Sequence, residues 1–255
     1  MGDKTTIAWT DATFSYWYGC SHAGPGCQNC YAEALMDKRW HRVEWGPGKP
    51  RQLTSEANRK QPLKWEREHA AFFAEHGHNR RVFCSSLGDV FDNEVPAYWR
   101  VELFNLIEAT PHLTWQLLTK RIGNVPSMLA YMKRTLPANV WLGITVVNQE
   151  EVDRDIPKLL AVPARIRFLS LEPLLGPVHF FPVAELSNRP ISMIIVGGES
   201  GPRARPMDLD WVRSIRDQCE AADVPFFFKQ VGGLTPTAGG CALDGKEYKD
   251  WPRAA

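Results

Sequence analysis

Residues 140–171 read VWLGITVVNQEEVDRDIPKLLAVPARIRFLSL. The two ends, Val140–Val146 and Ile166–Leu171, are short and rich in β-branched, leucine and aromatic residues, which suit a pleated, buried surface. Between them Gln149–Leu160 opens with Glu150 and Glu151, where negative charge meets the positive end of a helix dipole. The connection is long enough to return the chain to the start of a parallel neighbour, which a hairpin turn cannot do. A strand, a helix and a second strand in this order make a βαβ unit.

The same alternation extends in both directions. Arg81–Leu87 (RVFCSSL), Thr114–Thr119 (TWQLLT), Met193–Gly197 (MIIVG) and Pro225–Lys229 (PFFFK) are further strand candidates. Trp99, Leu103, Leu106 and Ile107 recur at helical spacing, as do Val212, Ile215, Cys219 and Ala222, each set forming one apolar helix face. An earlier unit has a strand near Ala12–Trp17, a cysteine-bearing loop and a helix over Tyr31–His41. The chain is therefore expected to be α/β, a partial or complete β/α (TIM-like) barrel of about six to seven parallel strands; an open doubly wound sheet shares this periodicity. With no linker, residues 1–255 read as a single domain. Residues 43–80, with WGPGKPRQL and a charged segment around Trp65, read as an insertion carrying one helix. The tail, 232–255, reads as a C-terminal cap in which Asp244-Gly245 turns a hairpin, since that dipeptide suits a two-residue turn with positive φ.

Composition narrows the class. With 44% apolar and 23% charged residues over 255 positions, the chain can bury a core and is neither disordered nor a rod. Thirty Lys and Arg against 29 Asp and Glu give a net charge of +1, so attraction to a polyanion would need a local basic patch. No run reaches the roughly 18 apolar residues of a membrane span. The start, MGDKTTIAWT, lacks the apolar core of a secretory signal. A soluble, cytoplasmic protein is expected. Met1-Gly2 with Thr6 also fits a myristoylation pattern, one short enough to recur by chance.

Residues 19–32, GCSHAGPGCQNCYA, place Cys20, Cys27 and Cys30 in the spacing C-x6-C-x2-C. Gly19, Gly24, Pro25 and Gly26 let the backbone fold back so that three thiolates can face one centre. In a reducing compartment such a cluster points to a metal or to catalysis. Three thiolates leave one position open. On a four-iron cluster the open iron can take a small molecule; on zinc the position can take water, His22 or Cys84. Of the other cysteines, Cys219 reads as core, Cys84 lies within a strand and Cys241 in the tail.

In either α/β architecture the working groups lie beyond the carboxyl ends of the strands. Those ends carry Ser85, Ser86, Asp89 and Asp92; Thr119, Lys120 and Arg121; Thr145 and Asn148; Glu172; Glu199 and Ser200; and Lys229 and Gln230. Glu172 and Lys229 are candidate catalytic groups. Ser86, Asp89, Thr145 and Asn148 are candidates for holding a cofactor, although each could instead cap a helix. Residues 195–206, IVGGESGPRARP, add Arg203 and Arg205 after two glycines, and arginines grip phosphate bidentately. With Lys120, Arg121, Glu199 and Gln230 they form the candidate substrate set. In the competing structural reading, the cations pair with Glu172, Glu199 and Asp208. Ten tryptophans include Trp9, Trp17, Trp40, Trp45 and Trp65 early in the chain, and packing suits them better than base stacking. His69, His76 and His78 lie on a charged helix and its end, a solvent-facing setting.

Three cysteines after a first strand, followed by about six further strands, resemble the radical S-adenosylmethionine superfamily. More closely, GCSHAGPGCQNCYAEAL, WQLLTKR, LGITVVNQ, FLSLEPLLGP, IIVGGESGPRARPM and PFFFKQ resemble a phage-associated three-cysteine family of unassigned function, over most of residues 7–252. The loop departs from the superfamily's usual C-x3-C-x2-C, and Asn29 stands where an aromatic residue is usual.

The resemblance implies that Cys20, Cys27 and Cys30 ligate a 4Fe-4S cluster and that S-adenosylmethionine binds its open iron. It also implies an electron donor and a 5′-deoxyadenosyl radical that takes a hydrogen atom from substrate. A basic strand-end region would suit a nucleotide, a nucleobase or DNA, with repair or modification as the outcome. Two alternatives are a zinc-stabilised nucleic-acid-binding module without turnover and a cluster-bearing partner of another phage-encoded enzyme. No membrane partner is expected.

Overall fold

The apolar runs that mark the sequence as α/β are strands in the computed structural model, which describes residues 5–180, 191–235 and 237–252. In chain order they are β1 (Ala12–Phe14), β2 (Trp17–Tyr18), β3 (Gln52–Leu53), β4 (Arg81–Cys84), β5 (Thr114–Thr119) and β6 (Val140–Thr145). Then follow β7 (Ile166–Leu171), β8 (Met193–Gly197), β9 (Phe226–Gln230), β10 (Ala242–Leu243) and β11 (Lys246–Glu247). Seven of these, in the order β1-β4-β5-β6-β7-β8-β9, are the parallel strands of an α/β partial barrel with helices between them. The helices are α1 (Tyr31–Glu33), which widens into π-helical Ala34–Arg39, then α2 (Glu56–Arg67), α3 (His69–His76), α4 (Ala97–Glu108), α5 (Val125–Met132), α6 (Gln149–Ala161) and α7 (Leu209–Ala221). Among the described residues no helix is long and apolar enough to cross a membrane. Met1 and Gly2, where the myristoylation pattern falls, lie outside them.

Two compact units divide the chain. One comprises Met1–His22, Tyr31–Leu142 and Pro163–Arg165; the other comprises Ala23–Cys30, Gly143–Val162 and Ile166–Ala255.

In the first unit β1 pairs with β4 and β4 with β5, Ala12 opposite Val82 and Arg81 opposite Thr114. Phe14, Val82, Trp115 and Leu117 from these strands are fully buried, as are Leu103, Phe104 and Ile107 of α4. Trp115 stands edge-on to Phe14 at 5.5 Å, and its indole N–H donates to Thr110 Oγ1 at 3.0 Å. The large ring is thus buried without a lost hydrogen bond. Trp9, Trp17 and Trp65 are core residues, while Trp40 is half exposed.

β4 stops at Cys84, short of the expected Leu87. Beyond it the backbone bonds to the β1 side, Ser86 N–H to the Phe14 carbonyl and Leu87 N–H to Ser15 Oγ. The insertion holds two helices where the sequence suggested one. Ser55 caps α2 by accepting from the Asn58 N–H, and α2 ends where the His69 ring nitrogen Nδ1 donates to the Glu66 carbonyl at 2.8 Å. That side chain satisfies one of the carbonyls a helix end leaves open.

The loop after β4 is fixed by a buried ion network. Arg51 Nε donates to Asp92 at 2.8 Å with both side chains fully buried, and Arg51 also bonds Glu94 and the Gly46 and Lys49 carbonyls. Arg100 reaches the Val90 and Asp92 carbonyls. Removing one member strands a buried charge, so Arg51→Ala is expected to cost about 3–5 kcal/mol. Urea unfolding would read this, and a loss below about 1 kcal/mol would contradict it.

In the second unit β7, β8 and β9 run parallel, Phe168 opposite Met193 and Ile194 opposite Phe226. All six positions of β7 are buried, as in parallel strands covered on both faces. α6 contributes Val152, Ile156 and Leu159, and α7 contributes Val212, Ile215 and Cys219. The hairpin at Asp244-Gly245 forms as expected: both residues have positive φ, and β10 pairs antiparallel with β11. The tail then runs along β9, where Phe228 N–H donates to the Tyr248 carbonyl and Asp250 N–H to that of Phe226. It therefore covers the edge of a terminal strand, which would otherwise be open to pairing. Parts of the expected 232–255 cap, Pro236 and residues 253–255, lie outside the described residues.

Candidate cysteine site

In the first unit the cysteine loop begins where the Gly19 N–H donates to the Leu87 carbonyl at 3.1 Å. Cys20 follows, nearly buried. Arg121, just past β5, points its Nη1 at Cys20 Sγ (3.4 Å) and at Asp89 Oδ2 (3.1 Å), while its Nη2 donates to the Ser21 carbonyl at 2.7 Å and to Ser21 Oγ at 3.0 Å. Asp89 is itself buried and accepts from Thr119 Oγ1 at 2.7 Å, from the Lys120 N–H at 3.1 Å and from the Phe91 N–H at 2.9 Å. A carboxylate at the end of β4 thus orients a guanidinium at the end of β5, which in turn grips the cysteine loop.

The electrostatics follow. Burial pushes the Cys20 thiol up to about 12, with Asp89 adding to the shift and Arg121 opposing it. Burial also works against the Arg121 charge, but Asp89, Cys20 and Asp92 outweigh it and raise Arg121 above its ordinary value. A cation is thus fixed beside a thiol that must give up its proton to bind a metal. Ser86 is buried with its Oγ 3.4 Å from Ser15 Oγ, and its carbonyl accepts from the Tyr31 hydroxyl at 2.5 Å. Lys120 is half buried.

In the second unit the loop continues as a single 3-10 turn, Pro25–Cys27. Arg205 Nη1 donates to the Pro25 carbonyl and to Gln28 Oε1, both at 3.1 Å. Asn29 Nδ2 donates to Glu199 Oε2 and to the Arg203 carbonyl, both at 2.9 Å. The residue between the last two cysteines is therefore fastened by an amide to the loop after β8. Gly24 passes so close to Glu151 that a Cβ there would overlap its carboxylate. Glu151 is in turn fixed by the Val147 N–H at 3.0 Å. Cys27 and Cys30 are partly exposed, and none of the six cysteines is in a disulfide.

The GGES segment after β8 has a structural task. A Cβ on Gly198 would overlap the carbonyl oxygen of Val231, so the first close approach the glycines permit is to the backbone after β9. Gln230 is buried and donates to the Gly198 carbonyl at 3.0 Å and to Ser200 Oγ at 2.7 Å. Glu199 takes a bidentate ion pair from Arg205, at 2.7 and 2.9 Å, and the Arg205 N–H as well. Lys229 Nζ lies 2.6 Å from Glu172 Oε1, while Ser170 Oγ donates to Glu172 Oε2 at 3.1 Å. Asn148 is the N-cap of α6, accepting from the Glu151 N–H at 2.9 Å, and Thr145 is buried at the end of β6.

Of the cations expected to attract an anion, Arg121, Arg205 and Lys229 each face a carboxylate at 3.1 Å or less, whereas the Arg203 side chain is exposed. His22 Nε2 donates to Glu33 at 2.7 Å. Cys84 is fully buried in β4, and burial pushes its thiol far above the ordinary value. Ser21 and Arg51 were not among the sequence candidates; nothing in their neighbourhoods marks them before the fold brings their partners close.

Burial pushes the Glu199 carboxyl up, but Arg205 and the Asn29 amide outweigh that and hold it below the ordinary carboxylate range. A depressed folded value contributes stability above the ordinary value of 4.5, lost as pH falls through the folded value. Thermal unfolding should therefore show a smaller drop in Tm on acidification for Arg205→Met than for the parent chain. Equal drops would remove this pair from the pH dependence.

By type, cysteine thiols are soft donors; Cys20 lies in the first unit beside a fixed cation, and Cys27 and Cys30 lie partly exposed in the second. Fold and loop together define an α/β partial-barrel protein with a three-cysteine segment. The chain belongs to the family described as "Protein of unknown function (DUF5131)", which matches residues 4–252. No curated protein and no solved structure matches it.

Proposed function

We propose that this chain is a radical S-adenosylmethionine-type iron–sulfur enzyme acting on a nucleobase-bearing substrate, a nucleotide or DNA. The observation that carries the reading is the loop of residues 20–30, three cysteines outside any disulfide in a glycine- and proline-rich segment of an α/β partial-barrel chain. Cys20, Cys27 and Cys30 would hold a 4Fe-4S cluster, with a position left for S-adenosylmethionine. When bound, that pair supplies a 5′-deoxyadenosyl radical that abstracts hydrogen, given an electron donor.

This chain's residues do the holding. Arg121, oriented by Asp89, fixes Cys20 and Ser21, and Arg205 and Asn29 fix the turn that carries Cys27. Glu172 and Lys229, 2.6 Å apart, are the pair suited to hold or move a proton. Arg203, whose side chain is exposed, is the cation assigned to substrate phosphate. Asp89 and Asn148 already have internal partners, which favours positioning roles for both over direct cofactor contact.

The test is anaerobic turnover of the iron-loaded chain with S-adenosylmethionine and dithionite, with and without a DNA oligonucleotide or a free nucleotide. Release of 5′-deoxyadenosine that rises with either substrate supports the reading. Release indifferent to both would remove the nucleobase part of it.

A further inference from the structure

We propose that Glu66, His69 and His112 form a second metal site, built without cysteine, for a zinc-class divalent ion. Glu66 and His69 flank the junction of α2 and α3, and His112 lies in the turn before β5, all within the first unit. One ligand atom from each residue lies within 4.8 Å of the other two. The two imidazoles stack with centroids 3.8 Å apart and planes 11° from parallel.

Their hydrogen bonds set the ring chemistry. His69 Nδ1 lies 2.8 Å from the Glu66 carbonyl, and His112 Nδ1 lies 2.5 Å from Glu66 Oε1. A carbonyl oxygen can only accept, so His69 Nδ1 donates there and its Nε2 is left to ligate, whereas the His112 Nδ1–Glu66 Oε1 contact is where an ion would take the place of a proton. His69 has the arrangement of metal-bound imidazoles, one nitrogen donating to an oxygen and the other left to ligate, while His112 would ligate through Nδ1 beside the carboxylate and release its proton on binding. The His112 N–H also donates to Glu66 Oε2, at 3.2 Å, which holds the carboxylate against the turn. Two imidazoles and one carboxylate suit zinc and leave a fourth position for water.

The site lies at the amino ends of β4 and β5, whereas Arg121 and Asp89 lie beyond their carboxyl ends. In β/α architectures the amino-end face serves stability. The ion would tie the α2–α3 junction to the strand-leading turn. Neither the cysteine loop nor radical chemistry enters this inference.

The test uses the full chain, stripped with a chelator and with its accessible thiols alkylated, titrated with Zn(II) alone. Calorimetry should give one zinc per chain, and at a thousandfold excess over Kd the unfolding midpoint should rise by about 10 °C. His112 is half exposed, so His112→Ala should keep the zinc-free midpoint while affinity falls at least roughly a hundredfold, and Glu66→Gln should do the same. An alkylated parent chain that binds no zinc overturns the proposal, as do variants with unchanged affinity. If a variant fails to fold, the alkylated parent chain decides.

Discussion

A Cys27→Ala chain is expected to fold as its parent does and to lose both its iron and all cleavage of S-adenosylmethionine. Cys27 ends a 3-10 turn, is partly exposed, and its sulfur accepts a long contact from the Ala23 N–H at 3.5 Å. Metal-free stability should therefore change by less than about 1 kcal/mol. With one of three thiolates gone, the remaining pair cannot hold a cluster of about four irons in the open-position arrangement, and 5′-deoxyadenosine should fall to background. Iron assay and chromatography of the reconstituted variant read both. Parent-like iron and turnover would remove Cys27 from the ligand set.

Gly198→Ala should have the opposite profile, a large loss of stability from a single methyl group. The methyl would overlap the Val231 carbonyl oxygen. Backbone on both sides is held there: Gly198 N–H donates to the Gln230 carbonyl, and the Gly198 carbonyl accepts from Gln230 Nε2, each at 3.0 Å. Neither a rotamer change nor a small loop shift can make room, so a cost of about 4 kcal/mol or more is expected. Because Glu199 anchors Arg205 and Asn29, the same change should loosen the turn that carries Cys27. Urea unfolding of the metal-free chain tests this, and a shift under about 1 kcal/mol would mean the two strand ends can part easily.

What the sequence made legible was local. β5, β7 and β8 span the residues expected of them, because a short apolar run between turns has few other uses in a parallel sheet. Asp244-Gly245 announced its hairpin through backbone chemistry alone. The α2–α3 break was hidden because the apolar pattern runs on through it, and only the His69 side chain taking the Glu66 carbonyl marks the end.

The cysteine spacing was visible; its anchors were not. Arg121 lies 101 residues from Cys20, and Arg205 lies 180 from Pro25, and no periodicity connects positions so far apart. The glycines after β8 suggested a ligand's approach, but the backbone they admit is the protein's own. Asn148 offered capping and cofactor binding equally, and the structure shows it capping α6. Arg205 and Lys229, expected at a basic strand-end region, have Glu199 and Glu172 as partners, which follows the ion-pair reading of these cations.

Anaerobic reconstitution of the full chain with iron and sulfide reads the chemistry of residues 20–30. Metal content is counted, and the loaded chain is then given S-adenosylmethionine and dithionite. About four irons per chain are expected, with 5′-deoxyadenosine released. Zinc held by the cysteines with no bound iron, or an iron-loaded chain that leaves S-adenosylmethionine intact, would contradict this expectation.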